Sequence, residues 1–357
     1  MKRNLIITSA LLASLGAMAQ TEVTVGVMRG KDYGVTYMLP KTEIEIALEI
    51  TRHGYTPGPF CQYADRYLQE KDVSTRAEEH WTLDNIRMQV IGVPDKERVY
   101  FVKLKDKTIA PLMELTEDGV VRSINLPFSG SRPRQPEVPA EVPENTLPDP
   151  NRFLTEEILL ANSTAKKAEL VAKEIYYIRE SRNDLLRGEA DNTPTDGMQL
   201  KLMLDNLELQ EQALTEMFTG HRTRKTEIVR LTITPAVMKD KVAFRFSHKL
   251  GLLDKDDLAG EPYCLSIVDL QTPPLPATEE DKGKKKDEPE GVAYNMPGRA
   301  RITLTQGNKT LLETEMPVTQ FGTVEYLAPV LFNKNSTTTV LFDTNTGGVL
   351  KVDREQE

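Results

Sequence analysis

The chain has 357 residues, of which 39% are hydrophobic and 28% are charged, as in an ordinary globular protein. This length suggests two or three domains, each able to bury its own core. The formal net charge of -9 argues against nucleic acid and anionic membrane surfaces as partners, and the aromatic content of 6% argues against a carbohydrate-binding platform.

Residues 1–19 have the features of a secretory signal peptide. A positive start at residues 2–3 precedes an apolar run at residues 5–15, and Ala-Met-Ala at residues 17–19 forms a small-x-small cleavage site. The alternative, a retained anchor, is disfavoured because the run is short for a bilayer. We therefore expect an exported protein, and removal of the signal would take the net charge from -9 to -11. No later stretch is long and apolar enough to cross a membrane.

Residues 20–126 are predicted to form an N-terminal β domain with one short helix. The clearest strand is at residues 42–51, where apolar residues alternate with glutamates so that one face is buried. Residues 59–68 are expected to form a short helix docked on the sheet, since Pro59 suits a first helical turn. The other strands are predicted at residues 21–27, 33–39, 81–93 and 98–105, with a hairpin at 109–126 around Asp118-Gly119.

Two segments are predicted to be solvated rather than packed. Residues 127–150 contain seven prolines among polar residues and are expected to form an extended linker. Residues 278–290 mix acidic and basic side chains and are expected to form a charged loop between strands. We expect limited proteolysis to begin in these two segments.

Residues 151–220 are predicted to form a helical hairpin around which the chain is organised. Apolar residues, mostly alanines, recur every three or four positions over residues 154–175, which predicts one buried stripe. The row of Ala165, Ala168 and Ala172 is expected to face larger side chains of the second helix.

The ends of both helices follow from capping residues. The first helix is predicted from Ser163 to Arg187, because Ser163 lies in a capping cluster and Gly188 suits a left-handed C-terminal position. The second helix is predicted at residues 198–219. Its capping residues are predicted to be Thr195 or Asp196 before it and Gly220 after it.

Residues 221–357 are predicted to form an antiparallel β-sandwich. Seven or eight short strands are separated by regular turns, two of them at residues 307–308 and 347–348. The whole chain is therefore predicted to be α+β, with mainly antiparallel β domains flanking a two-helix antiparallel hairpin.

The chain has two cysteines, Cys61 and Cys264. Each follows a proline-aromatic pair, and in an oxidising compartment an even count permits one disulfide. The alternative is that both are buried thiols, which pack as small hydrophobic residues. The sequence supports the two alternatives equally.

Glu174, Arg179, Arg182 and Glu189 are the candidates for a functional contact. Arg179 and Arg182 are three residues apart and share a helix face, and a guanidinium group suits carboxylates and other anions. The functional interpretation is an anion or partner-peptide site near the turn of the hairpin. The favoured alternative is an ion-pair network that ties the first helix to the second or to a neighbouring domain.

Four motifs carry a resemblance to a known family. They are GPFCQYADRYL at residues 58–68, AKEIYYIRESRNDLLRGE at residues 172–189, Phe-Thr-Gly at 218–220 and Gln-Phe-Gly at 320–322. Together they resemble an uncharacterised family of exported proteins from Bacteroides-type bacteria, known only as a domain of unknown function. The resemblance covers nearly the whole mature chain. It implies a Gram-negative cell envelope location, in the periplasm or at the outer-membrane periphery, and it implies no activity. Cys61 stands where an aromatic residue is expected, so the resemblance gives no support to an essential disulfide.

The sequence contains no catalytic or metal-binding motif. The four histidines form no H-x-H or H-E-x-x-H pair, and there is no C-x-x-C, G-x-S-x-G or Walker loop, so neither a metal nor a cofactor is expected. We therefore expect a non-enzymatic structural or interaction protein with an envelope protein as its partner. The alternatives are an exported glycan- or peptide-binding module that uses the C-terminal sandwich, and an exported hydrolase built from scattered carboxylates.

Overall fold

A computed structural model of the chain describes residues 34–103, 113–126, 147–192, 194–271, 291–328, 331 and 336–356. The predicted signal peptide, the predicted strand at 21–27, most of the predicted linker and the charged loop at 278–290 lie outside these residues. Within the described part, antiparallel strands predominate and a pair of helices stands between them in the sequence. The predicted α+β class is therefore confirmed.

The described elements are twelve strands, four α-helices and two short 3-10 turns. The helices are α1 (Ala64–Leu68), α2 (Glu156–Leu160), α3 (Thr164–Arg187) and α4 (Gly197–Thr219), and the 3-10 turns are Cys61–Tyr63 and Pro150–Phe153. The strands are β1 (Gly34–Thr56), β2 (Glu78–Lys103), β3 (Met113–Leu115), β4 (Val121–Ile124), β5 (His221–Ile233), β6 (Met238–Ser247), β7 (Gly251–Leu253), β8 (Glu261–Asp269), β9 (Val292–Gln306), β10 (Lys309–Leu327), β11 (Ser336–Phe342) and β12 (Val349–Gln356).

The strands of the described part form three antiparallel sheets. Their orders are β2-β1-β5, β10-β9-β8-β6-β7 and β12-β11-β4-β3. In the first sheet β1 pairs with β5 from Ile44 opposite Ile233 to Thr56 opposite His221. In the third sheet β4 pairs with β11. Both sheets therefore combine strands from the 20–126 segment with strands from the 221–357 segment.

The largest core lies between the first two sheets. The isoleucines and leucine that alternate with glutamates in β1 are fully buried, as their period-2 pattern predicted. They pack against apolar residues of β6, β8, β9 and β10. The second layer that covers the C-terminal sheet is thus supplied by β1, β2 and β5. The buried residues of this core that come from β1 are Ile44, Ile46, Leu48 and Ile50.

Two pairs of predicted strands are single long strands in the structure. The described residues of the predicted strands at 33–39 and 42–51 both belong to β1, and those of the predicted strands at 81–93 and 98–105 both belong to β2. Pro40 lies opposite Pro94 next to a register shift in this pair of strands. Proline is tolerated in strands at such irregularities, so neither residue ends its strand.

The predicted helix at residues 59–68 lies in a different place from the one expected. The structure has a 3-10 turn followed by α1, and these pack against the helices rather than on a sheet. The ring of Phe60 lies 5.4 Å from that of Phe218, and the Phe60 amide donates a hydrogen bond to the Met217 carbonyl at 2.8 Å. An apolar face of a helix indicates burial but not the surface that covers it.

Candidate functional site

Helices α3 and α4 form the predicted hairpin, with ends set by the expected residues. The Ser163 hydroxyl accepts a hydrogen bond from the Lys166 amide at 3.2 Å, and Gly188 ends α3 with a left-handed φ of 73°. The Asp196 side chain caps α4 by accepting from the Met198 amide at 3.0 Å. These predicted boundaries are confirmed to within one residue.

The half of the hairpin near the ends of α2 and α4 is tightly packed. Ala168 is fully buried and Ala172 is nearly so, among residues of α1, α2 and α4 that include Leu214 and Phe218. Ala165 was predicted to be buried in the same row but is exposed. Because α4 ends at Thr219, it does not reach the first turn of α3.

Arg179 and Arg182 meet on one carboxylate of the second helix. Arg179 Nε lies 2.6 Å from Glu211 Oε1, and Arg182 Nη1 lies 2.9 Å from Glu211 Oε2. The Glu211 side chain is only 13% exposed, whereas the two arginines are 37% and 33% exposed. The arginines therefore tie α3 to α4, which is the ion-pair alternative that the sequence analysis favoured.

The other two residues of the predicted contact do not join this ion pair in the described structure. Glu174 is half-buried, five residues before Arg179, and Glu189 is exposed beyond the end of α3. The Glu189 amide donates to the Asp184 carbonyl at 2.9 Å, as part of the helix end. Their role in contacting a partner stays a prediction. Glu211 was not among the predicted residues, and its single signal in the sequence is its place between apolar positions of α4.

The other half of the hairpin exposes large apolar side chains. Met198, Leu202 and Leu209 are 76%, 63% and 39% exposed, and their spacing of four and seven residues puts them on one face of α4. Leu207 and Leu214 lie on the opposite face and pack towards α3. Helix α4 is therefore apolar on two sides, only one of which is covered by described residues. Leu186 and Met203 add to the exposed apolar area, at 63% and 41%.

The two cysteines lie on separate elements and both are free thiols. Cys61 begins the 3-10 turn before α1, while Cys264 is in β8 and pairs with Val242 of β6 and Thr305 of β9. Both side chains are half-buried. The structure does not bring them together, which corresponds to the thiol alternative.

A polar cleft of about 620 Å³ lies at the base of the hairpin, beside the junction of α4 and β5. Its lining residues carry both signs of charge: Lys71 and Arg222 are basic, and Glu70, Asp72 and Glu216 are acidic.

Tyr55 stands next to this cleft and links β1 to the end of α4. Its hydroxyl oxygen lies 2.8 Å from the Ser74 carbonyl oxygen and 3.1 Å from the Thr219 carbonyl oxygen, and its single proton is shared between these two acceptors. Burial raises the pKa of Tyr55, and this effect outweighs the lowering effect of Arg222.

The described part of the chain also bears on metal binding and on membrane spanning. No group of three or more histidine, cysteine, aspartate or glutamate residues in that part of the chain is arranged to hold a metal ion. Among the described helices, none combines the length and apolar character needed to cross a membrane.

Comparison with known proteins places the chain in a family. No curated protein and no solved structure gives a significant match. The profile of the family described as a domain of unknown function, DUF4831, matches residues 33–350, which is most of the chain. The match includes all strands and helices described above except most of β12, of which it covers only the first two residues. This protein therefore belongs to the DUF4831 family of domains of unknown function.

Proposed function

We propose that this protein is a non-enzymatic interaction protein of the Gram-negative cell envelope, in the periplasm or at the outer-membrane periphery of a Bacteroides-type bacterium. The support for export is the signal-peptide pattern at residues 1–19. The support for an interaction role is the apolar surface at the free end of the hairpin. The binding element in this proposal is the distal half of α3 and α4.

The observation that carries the proposal is the second apolar face of α4. Single exposed apolar residues are normal on protein surfaces, whereas several that are grouped on one surface indicate an interaction site. Met198, Leu202 and Leu209 form such a stripe. The ion pairs of Arg179 and Arg182 with Glu211 hold α3 and α4 together next to the stripe. The stripe therefore lies on a helix whose position relative to its neighbour is fixed.

The charges beside the stripe define the partner. Two carboxylates, Asp205 and Glu208, and one amine, Lys201, lie beside the stripe on α4, and none of the three forms an ion pair with another described residue. Negative charge is therefore in excess at this edge. A groove with an apolar floor and a basic rim would bury the stripe and pair these carboxylates. We therefore propose that such a groove on another envelope protein covers the stripe.

Site-specific photo-crosslinking in intact cells tests this proposal. A photoreactive residue at Leu202 is expected to capture one envelope protein, and Leu202→Asp, with the photoreactive residue moved to Leu209, is expected to abolish that capture. Leu258, which is 84% exposed between β7 and β8, is the control position and is expected to capture nothing specific. Equal products from positions 202 and 258, or capture that survives Leu202→Asp, would contradict the proposal.

A peptide-binding role is the second candidate, and the cleft at the hairpin base favours it. The cleft has the volume of a ligand site, and its cations and carboxylates could bind a peptide backbone with charged ends. Binding of short peptides that is lost in Arg222→Ala but kept in Leu202→Asp would favour this candidate over the first.

A further inference from the structure

Three of the four histidines in the chain stack on one another. The His53 and His80 rings lie 4.8 Å apart with planes 11° from parallel, and the His80 and His248 rings lie 4.8 Å apart with planes 4° from parallel. The three residues come from β1, β2 and the turn between β6 and β7. We call them the histidine row.

The row joins the edge of the first sheet to a turn of the second. The Trp81 amide of β2 donates a hydrogen bond to the His248 carbonyl at 2.8 Å. The Trp81 ring lies against Gly251, where a β-carbon would be only 3.0 Å from the indole Cδ1. Gly251 also has a left-handed φ of 77°. Glycine is therefore favoured here both by the close indole and by the backbone conformation. The turn is therefore fixed to β2 by one backbone hydrogen bond, the indole contact and the histidine row.

One end of the row is connected to a carboxylate. Thr82 donates its hydroxyl proton to Asp84 Oδ1 at 2.7 Å, so the His53 Nε2 atom, 3.1 Å from Thr82 Oγ1, must be the donor in that contact. Thr51 also donates to Asp84. Burial raises the pKa of Asp84, but the hydrogen bonds from Thr51 and Thr82 and the charges of Arg224 and His53 outweigh it, and the pKa lies below its ordinary value.

The end of the row formed by His80 and His248 has no such hydrogen bonds. Neither His80 nor His248 makes a side-chain hydrogen bond to another described residue, so stacking is their only contact in the row. The remaining charged and titratable groups around the row come from every neighbouring element. They are Tyr55 and Arg52 of β1, Glu78 and Glu79 of β2, Arg222, Arg224 and Lys225 of β5, and Lys249 of the turn.

Several of these charged groups already have a partner of opposite charge or a hydrogen bond. Arg52 is paired with Glu79, and Glu78 accepts a hydrogen bond from Ser74 at 2.8 Å. Arg224 lies directly opposite His53 in the β1–β5 ladder, so positive charge already stands at that end of the row. Asp84 can balance one added proton on His53. No described carboxylate is hydrogen-bonded to His80, which has an imidazole on each side.

We propose that the histidine row is a pH-sensitive latch, which holds the β6–β7 turn on the edge of β2 when the imidazoles are neutral and releases it in mildly acidic surroundings. Neutral imidazoles at 4.8 Å attract each other through stacking. Imidazolium ions at the same distance repel each other, and histidine is the side chain that changes charge between about pH 5 and 8. Release frees the Trp81 amide and uncovers the side of the indole that lies against Gly251.

The intact mature chain provides its own reporter, because Trp81 is the single tryptophan. Tryptophan emission and hydrogen exchange of the Trp81 amide are measured between about pH 7.5 and pH 5.5, a range in which histidine titrates. We expect a red shift on acidification. Opening coupled to one proton should also raise the exchange of this amide, relative to its intrinsic rate, by about tenfold for each pH unit.

Two variants distinguish the latch from general acid unfolding. His80→Phe keeps a stacked ring that cannot be charged and is expected to remove the pH dependence, and His248→Phe is a second variant with the same expectation. His221→Phe is the matched control, since His221 pairs with Glu216 outside the row and should leave the transition unchanged. The latch is excluded if the wild-type protein shows no transition, or if His80→Phe and His248→Phe both keep the wild-type profile.

Discussion

Replacing Ala168 by leucine measures how tightly the helical hairpin is packed. Ala168 is fully buried, in a core that also contains Val171, Ala172 and Leu214. Leucine adds three carbon atoms and has nearly the helix propensity of alanine, so the change acts on packing and not on helix formation. Overpacking of a filled core typically costs about 1–3 kcal/mol. At roughly 2–4 °C per kcal/mol, Tm should fall by about 2–12 °C.

The control for this change is Ala165→Leu. Ala165 lies one turn earlier on the same helix and is exposed, so the identical substitution should alter stability by less than about 0.5 kcal/mol. Thermal unfolding of the two variants beside the wild-type protein gives the comparison. Equal values of Tm in Ala165→Leu and Ala168→Leu would refute the assignment of Ala168 to a filled core.

Two further substitutions test the ion pair and a buried tyrosine. Glu211→Gln leaves Arg179 and Arg182 without their carboxylate and should cost about 1 kcal/mol, measured by thermal unfolding, with a difference that shrinks in high salt because the arginines are partly exposed. Burial raises the pKa of Tyr37 and outweighs its hydrogen bond to the Ala293 carbonyl, so the unfolded chain loses this proton first and stability falls above about pH 10. Tyr37→Phe cannot ionise, and its Tm should therefore fall less between about pH 9 and 11 than that of the wild-type protein.

The hairpin could be predicted closely because its signals are local. Capping at Ser163 and Asp196 and the left-handed end at Gly188 depend on neighbours within four residues. The exposed position of Ala165 could not be predicted, since it depends on where α4 ends in space. The same limit explains why α1 was predicted to lie on a sheet.

The pairing of strands was not predictable from the same kind of signal. The alternation in β1 correctly indicates a buried face, but it does not say that β5, far along the chain, supplies a neighbour. The histidine row also arises from contacts between segments that are far apart in the sequence. His53 and His80 meet through strand pairing and His248 through a turn of another sheet, so no spacing in the sequence marks them. Motif searches detect sites whose ligands are close in sequence, and this cluster is not of that kind.

The described structure identifies β1, rather than the hairpin, as the element on which the rest depends. Its middle residues fill the largest core, and its first residues, Tyr37 and Leu39, belong to the core that the third sheet covers. Near its last residues Tyr55 holds the end of α4. The hairpin has a separate core of its own, made with α1 and α2. A substitution at Leu202 therefore changes a surface that no described sheet uses for its packing. An interaction site carried by a rigid β scaffold can vary in this way without loss of the fold.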